Sequence, residues 1–190
     1  NIYYTKVEFV SVLIILNSII KNFEIVKGSD FQLKKEYMLD VLKMATFTSV
    51  HDAQKSASEV VKLGDNPKLG GLIYPIMQSL DEEYLGVDIQ YGGIDQRKIL
   101  VFARENLPKL GYKHRVEVMT PLIPGLIGKK MSASDPKSKI DLLDDEKTVV
   151  EKIRGAYCEE GIVEDNGVLA FLKYVIMIFA PACCNSSATV

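Results

Sequence analysis

The sequence has few of the residues from which disulfide frameworks and metal sites are built. Its three cysteines are Cys158, Cys183 and Cys184, and an adjacent pair with one distant thiol has neither disulfide-framework nor zinc-ligand spacing. The two histidines, His51 and His114, stand outside any cluster of ligand residues. We therefore predict reduced thiols and no protein-bound metal.

The 190 residues also lack a strong charge excess and a long uninterrupted apolar run. The net charge of −2 argues against a strongly basic nucleic-acid-binding protein, although it allows a local basic patch. Residues 9–20 are too few to cross a bilayer, and the apolar stretch 168–184 contains Lys173 and Pro181. Asn1-Ile-Tyr-Tyr is not typical of a signal peptide. These features predict a soluble globular protein without membrane contact.

Apolar periodicity predicts helices that alternate with short strands. The strands are expected at 23–27, 88–91 and 115–119. The helices are expected at 6–21, 31–47, 49–63, 69–84, 95–107, after Asp144-Asp145, and at 165–179. A βα order of this kind is typical of a parallel sheet.

Capping residues and apolar stripes mark several of these helices. Ser29 or Asp30 is predicted to cap the helix at 31–47, and Ser49 with Asp52 has the spacing of a capping box. The apolar stripe of the helix at 31–47 comprises Leu33, Tyr37, Val41 and Met44. The residues expected on the inner side of the helix after Asp144-Asp145 are Val149, Val150, Ile153 and Tyr157.

The helix at 69–84 carries a row of polar side chains beside its apolar face. Tyr74, Gln78 and Asp81 are spaced i, i+4 and i+7, which brings them within about 60° of one another on a helix. A half-buried acid must be paired or must bind a ligand, because burying an unpaired charge is costly. The alternative is a solvated polar stripe, and the pattern alone leaves both interpretations open.

A second polar cluster follows the strand predicted at 88–91. Gln90, Asp95 and Gln96 flank Gly92-Gly93, which we predict to form a turn between strand and helix. In open α/β sheets, ligands bind beyond the carboxyl ends of strands, where glycine allows close approach and an acid can accept from ribose hydroxyls. Most such glycine pairs are simple turns, so this cluster is weak evidence by itself.

The segment 120–139 is rich in Pro, Gly, Lys and Ser and has no periodicity, which is typical of a functional loop. Within it, 125–136 contains two lysines and two serines after paired glycines. Such a mobile cationic loop suits a polyphosphate. The spacing is not that of a P-loop, and a solvated loop is the alternative.

Three segments resemble one enzyme family. Lys130-Met-Ser-Ala-Ser134 resembles the Lys-Met-Ser-Lys-Ser element of class I aminoacyl-tRNA synthetases, with Ala133 in place of the Lys or Ser that usually stands between the two serines. Together with Tyr74-Pro-Ile-Met-Gln-Ser-Leu-Asp81 and Gly92-Gly-Ile-Asp-Gln-Arg-Lys98, it is similar to tyrosyl-tRNA synthetases of the eukaryotic and archaeal type, over about residues 26–171. Tryptophanyl enzymes share the Met-Ser-Ala-Ser-Asp-Pro element, but Asp81 and the Gly-Ile-Asp-Gln-Arg-Lys segment favour the tyrosyl type.

The resemblance implies an α/β fold in two parts. Residues 1–145 would form the second half of a Rossmann-like catalytic domain with a parallel sheet, and 146–190 the start of an α-helical anticodon-binding domain. The family carries a His-Ile-Gly-His-like element that this sequence does not contain, so the chain is expected to begin inside the catalytic domain. A cytoplasmic homodimer with its interface between about 46 and 69 is also implied.

The function implied is that of a tyrosine–tRNA ligase, which uses ATP with Mg²⁺ to activate tyrosine and transfers it to tRNA(Tyr). The residues implied for tyrosine are Tyr74, Gln78, Asp81 and Gln96. Those implied for ATP are Gly93, Asp95, Lys130 and Met131, and the catalytic residues implied are Lys130, Ser132 and Ser134. The alternatives are a tryptophanyl-tRNA synthetase, a truncated synthetase acting as a non-catalytic binding module, and a generic nucleotide-binding domain.

Overall fold

The computed structural model describes residues 24–127, 131, 135–141 and 143–177. These fall into two compact units, the first comprising Glu24–Leu122 and the second containing the described residues from Ile123 onward. The helix predicted at 6–21 lies outside the described residues. The domain boundary predicted at residue 145 stays a prediction.

The first unit alternates helices with two strands, as its periodicity predicts. Its elements are α1 (Lys35–Phe47), α2 (Val50–Ala57), α3 (Leu69–Tyr84), β1 (Ile89–Gly93), α4 (Arg97–Asn106) and β2 (Val116–Thr120). The strands β1 and β2 pair in parallel, from Ile89 opposite Val116 to Gly93 opposite Thr120. Because α4 connects two parallel strands, this part of the chain is a βαβ unit. The predicted α/β fold with a parallel sheet is confirmed.

The core of the first unit lies among α1, α3 and α4. Tyr37, Met44 and Leu80 are fully buried there. The other buried members of the cluster are Phe31, Val41, Ile76, Phe102, Ala103 and Leu107. The predicted stripe on α1 is therefore confirmed except at Leu33, which is exposed.

The start of the first unit differs from the prediction. Residues 24–27 form no strand, and Gly28–Asp30 form a 3₁₀ turn instead of a cap. The backbone N–H of Gln32 donates to the carbonyl of Gly28 at 2.8 Å. A local turn thus satisfies these backbone groups, and α1 begins only at Lys35. Leu33 precedes the helix, which explains its exposure.

Two further boundaries also differ. The helix predicted at 49–63 ends at Ala57, where the Ser58 hydroxyl donates to the Lys55 carbonyl at 2.9 Å and competes with helix continuation. Its start is correct, since Ser49 Oγ accepts from the Asp52 amide at 3.0 Å. Gly92 and Gly93, predicted as a turn, form the last two positions of β1.

The second unit consists of short elements. They are α5 (Glu146–Arg154), α6 (Gly167–Phe171) and a π-helical turn at Leu172–Ile176. Asp145 Oδ1 accepts from the Thr148 amide at 2.8 Å, so the predicted cap of α5 is confirmed. At the start of α6, Asn166 is buried and its Oδ1 accepts from the Leu169 amide at 3.1 Å.

The inner side predicted for α5 is wrong. Val150, Ile153 and Tyr157 are exposed, and α5 has no buried residue. An apolar stripe identifies one face of a helix, but it does not identify the element that covers that face. In the described part of the second unit, nothing buries this face of α5.

Candidate functional site

The predicted polar row lies on one helix, α3. Tyr74 is 42% exposed, whereas Gln78 and Asp81 are half-buried. Their neighbours Ile76 and Leu80 belong to the core, so the row borders the buried side of the helix, as its spacing predicts. The helix thus holds two polar side chains at the edge of a packed core.

Asp81 is paired with two side chains from the beginning of the chain. Gln32 Nε2 lies 2.9 Å from Asp81 Oδ1 and 3.2 Å from Oδ2, and the Tyr37 hydroxyl lies 2.8 Å from Oδ1. Burial, together with the hydrogen bond to Asp81, raises the pKa of Tyr37, so this phenol remains a donor. Asp81 Oδ1 therefore has two close donors. Oδ2 has only the longer contact with Gln32 Nε2, so it can accept from one further donor.

Gln32 and Tyr37 contact Asp81, and the sequence did not reveal a role for either at this site. Tyr37 was predicted only as an apolar core position, and Gln32 lies in a turn before α1. They are 49 and 44 residues from Asp81, and no local periodicity relates positions so far apart. Only the packing of α1 against α3 brings them together.

A second set of polar groups joins α3 to the end of β1. Gln78 Nε2 donates to Gln96 Oε1 at 3.0 Å, and Gln96 Nε2 lies 3.2 Å from Asp95 Oδ2. Gln78 Oε1 is buried, and no donor within the described ranges lies within hydrogen-bonding distance. A buried acceptor without a donor is costly, so this atom suits a ligand that carries an N–H or O–H group.

Gly93 allows the Asp95 carboxylate to lie close to the end of β1. A Cβ atom at position 93 would lie 2.5 Å from Asp95 Oδ1 and 3.3 Å from a methyl carbon of Leu122. Gly93 pairs with Thr120, so both strands of the parallel sheet end at this edge. This is the edge at which ligands bind in open α/β sheets.

Glu82 adds a second acid beside Asp81 on α3. Its side chain is only 2% exposed. Burial raises the pKa of Glu82 to about 7, with a further contribution from the charge of Glu117 and partial compensation by Arg115. The sequence did not single out this residue.

The predicted loop residues cannot be added to this geometry. Lys130, Ser132 and Ser134 lie outside the described residues. Met131 is described and half-buried, and it belongs to the second unit. Their predicted contacts with ATP stay predictions.

A separate cavity of about 420 Å³ lies among α1, α2 and α4. Four basic side chains line it, and two acidic side chains oppose them. They are Lys55, Arg97, Lys98 and Lys109, with Asp52 and Glu105. Among the described residues predicted to bind tyrosine or ATP, none lines this cavity, although Arg97 directly follows Gln96.

The described ranges of the chain lack two further types of site. They contain no group of three His, Cys, Asp or Glu side chains that could hold a metal ion. They also contain no helix with the length and apolarity needed to cross a membrane. The prediction that the protein binds no metal stays a prediction.

Comparisons with known proteins identify one family. The model for tRNA synthetases class I (W and Y) matches residues 3–182. The cytoplasmic tyrosine–tRNA ligase of Saccharomyces cerevisiae is 50% identical over 174 residues, which cover 91% of this chain and 44% of that protein. A probable cytoplasmic tyrosine–tRNA ligase of Enterocytozoon bieneusi is 48% identical over 177 residues, covering 92% of this chain and 50% of that protein.

Solved structures agree with these relatives. The tyrosyl-tRNA synthetase of Archaeoglobus fulgidus, complexed with L-tyrosine, matches with a TM-score of 0.76 and 46% identity over 85% of this chain and 50% of that one. A tryptophanyl-tRNA synthetase from Giardia lamblia matches with a TM-score of 0.54 and 19% identity over 68% of this chain and 40% of that one, which is a likeness of fold alone. The chain spans about half the length, or less, of the curated relatives described above.

Proposed function

The chain belongs to the class I tRNA synthetases of the tryptophan and tyrosine type, and on this premise we propose that it is part of a tyrosine–tRNA ligase. The whole enzyme would activate tyrosine with ATP to tyrosyl-adenylate and transfer the tyrosyl group to tRNA(Tyr). This chain would contribute the second half of the catalytic domain, including the side chains that recognise tyrosine. The relatives at about 50% identity carry this name, whereas the tryptophanyl match has 19% identity.

The observation that carries the proposal is the anchored carboxylate of Asp81. Gln32 and Tyr37 hold it at the edge of the core, and Oδ2 retains acceptor capacity for one more donor. A phenolic hydroxyl supplies such a donor, whereas the ring of phenylalanine would leave the carboxylate short of a partner. This arrangement favours tyrosine as the amino acid.

The α-amino group of the substrate would bind at the other end of the polar row. Gln78 Oε1 is a buried acceptor without a donor in the described part of the chain, and an ammonium group provides one. Tyr74 and Gln78 would hold this group, with Gln96 near the substrate carboxylate. The hydrogen bond between Gln78 and Gln96 supports a shared role for the two amides.

The reaction needs no general base, because the tyrosine carboxylate is already ionised and acts as the nucleophile. Its oxygen forms a bond to the α-phosphorus of ATP while the bond from that phosphorus to the bridging oxygen breaks, and pyrophosphate leaves with the electron pair. Gly93 and Asp95 would bind the ribose. Lys130, Ser132 and Ser134 would stabilise charge on the leaving pyrophosphate, with Met131 beside the nucleotide. Positioning and electrostatics would supply the rate.

Mg²⁺ would enter with ATP, because phosphate oxygens and water are its preferred ligands. It would neutralise charge on the phosphates while the chain's own residues position the two substrates.

The tRNA partner, the homodimer and the cytoplasmic location are proposals of the same kind. The cavity lined by Lys55, Arg97, Lys98 and Lys109 supports binding of a phosphate-rich molecule, because its basic side chains outnumber its acidic ones even with Lys98 paired to Glu59. The dimer interface is proposed between about 46 and 69, from the family resemblance.

The test is tyrosine binding and tyrosine-dependent exchange of pyrophosphate into ATP, measured on the 190-residue chain. We expect the chain to bind tyrosine far more tightly than phenylalanine or tryptophan, and we expect any exchange to depend on tyrosine. Asp81→Asn should weaken tyrosine binding by about ten- to a hundredfold, because a hydrogen bond to a charged group is lost.

Each other outcome has a distinct meaning. Tyrosine binding without exchange would favour the alternative of a non-catalytic binding module. Exchange driven by tryptophan would overturn the assignment of tyrosine. Equal binding of tyrosine and phenylalanine would overturn the role of Asp81.

A further inference from the structure

Two Tyr–Asp hydrogen bonds join α1 and α3 in a reciprocal manner. Tyr37 of α1 donates to Asp81 of α3, and Tyr84 of α3 donates to Asp40 of α1, each at 2.8 Å. On each helix the two residues are three positions apart, so they share one face. The two tyrosine rings meet edge to face, with centroids 4.9 Å apart and planes at 67°. We call these the Asp81 pair and the Asp40 pair.

The two pairs differ in burial and in the number of donors. Asp81 is half-buried at the candidate site, whereas Asp40 is only 4% exposed. Asp40 also accepts from Lys43 Nζ at 2.9 Å and from the Tyr112 hydroxyl. Burial disfavours the charged form of Asp40, but the hydrogen bonds from Tyr112, Lys43 and Tyr84 outweigh it and lower its pKa. The Asp40 pair is therefore an ionised, internally satisfied anchor.

The Tyr37 hydroxyl needs such an anchor because it has one proton and two acceptors. Asp81 Oδ1 and the Met77 carbonyl oxygen both lie 2.8 Å from it. The position of the Tyr37 ring sets how far its hydroxyl oxygen lies from each of these two acceptors. Two rings pack against it edge to face, Phe31 with centroids 5.8 Å apart and Tyr84 at 4.9 Å.

We propose that the Asp40 pair is a positioning device for Asp81. By fixing the ring of Tyr84, it holds Tyr37 on Asp81 Oδ1, so that Oδ2 faces the phenol of the bound amino acid. Asp40 and Tyr84 would thereby contribute to the preference for tyrosine over phenylalanine without touching the substrate. This consequence for selectivity rests on the proposed function, whereas the effect on Tyr37 does not.

Deleting one hydroxyl tests the consequence for selectivity. Tyr84→Phe keeps the ring and removes the bond to Asp40, and it should lower the ratio of tyrosine to phenylalanine affinity by about three- to tenfold. The affinity for phenylalanine should stay unchanged. Ser79→Ala is the matched control, since it removes a buried hydroxyl that donates to the Pro75 carbonyl on the same helix. Tyr112→Phe should have a smaller effect, because the ring pairs of Tyr37 among the described residues are with Phe31 and Tyr84 and not with Tyr112.

An unchanged affinity ratio in Tyr84→Phe would overturn the proposal. An equal fall in Ser79→Ala would also overturn it, because general loosening of α3 would then explain the result. A fall confined to Tyr84→Phe would support a positioning role.

A measurement without substrate separates this proposal from the proposed function. In protein labelled at tyrosine Cζ with ¹³C, the Tyr37 signal is assigned by its loss in Tyr37→Phe. In the unmodified chain Tyr37 should resist ionisation, and in Tyr84→Phe its signal should shift and titrate at lower pH. An unchanged Tyr37 signal would overturn the positioning role whether or not tyrosine binds. A shifted signal in a chain that does not bind tyrosine would support the positioning role and contradict only the proposed function.

Discussion

The two compact units of this chain are stabilised in different ways. The first has a continuous apolar core among α1, α3 and α4 that includes Tyr37, Met44 and Leu80. In the described part of the second unit the buried side chains include Ser138 and Asn166 with Leu126, and α5 has no buried residue. Apolar burial dominates the first unit, and polar contacts with close backbone packing dominate the described part of the second.

This difference separates the two halves of the proposed chemistry. The side chains proposed to recognise tyrosine lie on the densely packed unit, and they are Tyr74, Gln78, Asp81 and Gln96. The residues proposed to stabilise pyrophosphate follow Ile123 in the sequence, in the segment predicted as a loop. Recognition of an amino acid requires groups that are held in place before binding, and close packing provides this.

The largest effect is expected from truncation in the core of the first unit. Leu80→Ala should lower the free energy of unfolding of that unit by about 2–5 kcal/mol, because it removes buried contacts and leaves a cavity. Val150→Ala on the exposed face of α5 should change stability by less than about 0.5 kcal/mol. Chemical denaturation with residue-resolved hydrogen exchange measures both. Equal losses would contradict the contrast between the units.

The second unit should be most sensitive to added volume at Gly167. A Cβ atom there would lie 2.3 Å from the Gly125 carbonyl oxygen and 3.0 Å from that of Pro124. Because backbone atoms cannot move aside cheaply, Gly167→Ala should cost about 2–3 kcal/mol, seen as faster hydrogen exchange in α6. Gly155→Ala is the control, since its nearest contact would be an ordinary 3.5 Å. Tolerance of Gly167→Ala would show that close backbone packing does not stabilise this unit.

The smallest effect on stability is expected from the titration of Glu82, the buried acid of the first unit. Because burial raises the pKa of Glu82 from 4.5 to about 7, the folded chain binds more protons than the unfolded chain between these values. The free energy of unfolding should therefore fall as pH rises from about 4.5 to about 7. Glu82→Gln should flatten this slope and add about 1–2 kcal/mol at pH 8, a range that allows for solvent screening.

Urea denaturation at several pH values measures this slope. The exposed Glu105→Gln is the control and should leave the slope unchanged. A steep slope that persists in Glu82→Gln would show that another group titrates. Burial of the Glu82 charge would then not be what destabilises the first unit at high pH.

The elements that were predicted correctly are those whose signals are local. The helix α3 begins and ends where its apolar spacing predicts, and β1 and β2 lie within two residues of the predicted strands. The caps at Ser49 and Asp145 follow from contacts three residues away. The predictions that failed include the strand at 23–27, the burial of Leu33, the end of the helix at 49–63 and the inner side of α5. The inner side of α5 depends on which element packs opposite it, whereas a local turn at Gly28 delays the start of α1 and leaves Leu33 exposed.

The sequence by itself determined the polar row on α3, the order of the motifs and the family, because helical spacing and short motifs are properties of neighbouring residues. Only the tertiary structure decided how Asp81 is paired, that Gln78 Oε1 is buried without a donor from the described residues, and that Asp40 and Tyr84 form a second Tyr–Asp pair. The physical reason is distance along the chain. Tyr37 is 44 residues from Asp81 and Tyr84 is 44 residues from Asp40, and these pairs meet only because the apolar faces of α1 and α3 are buried against each other.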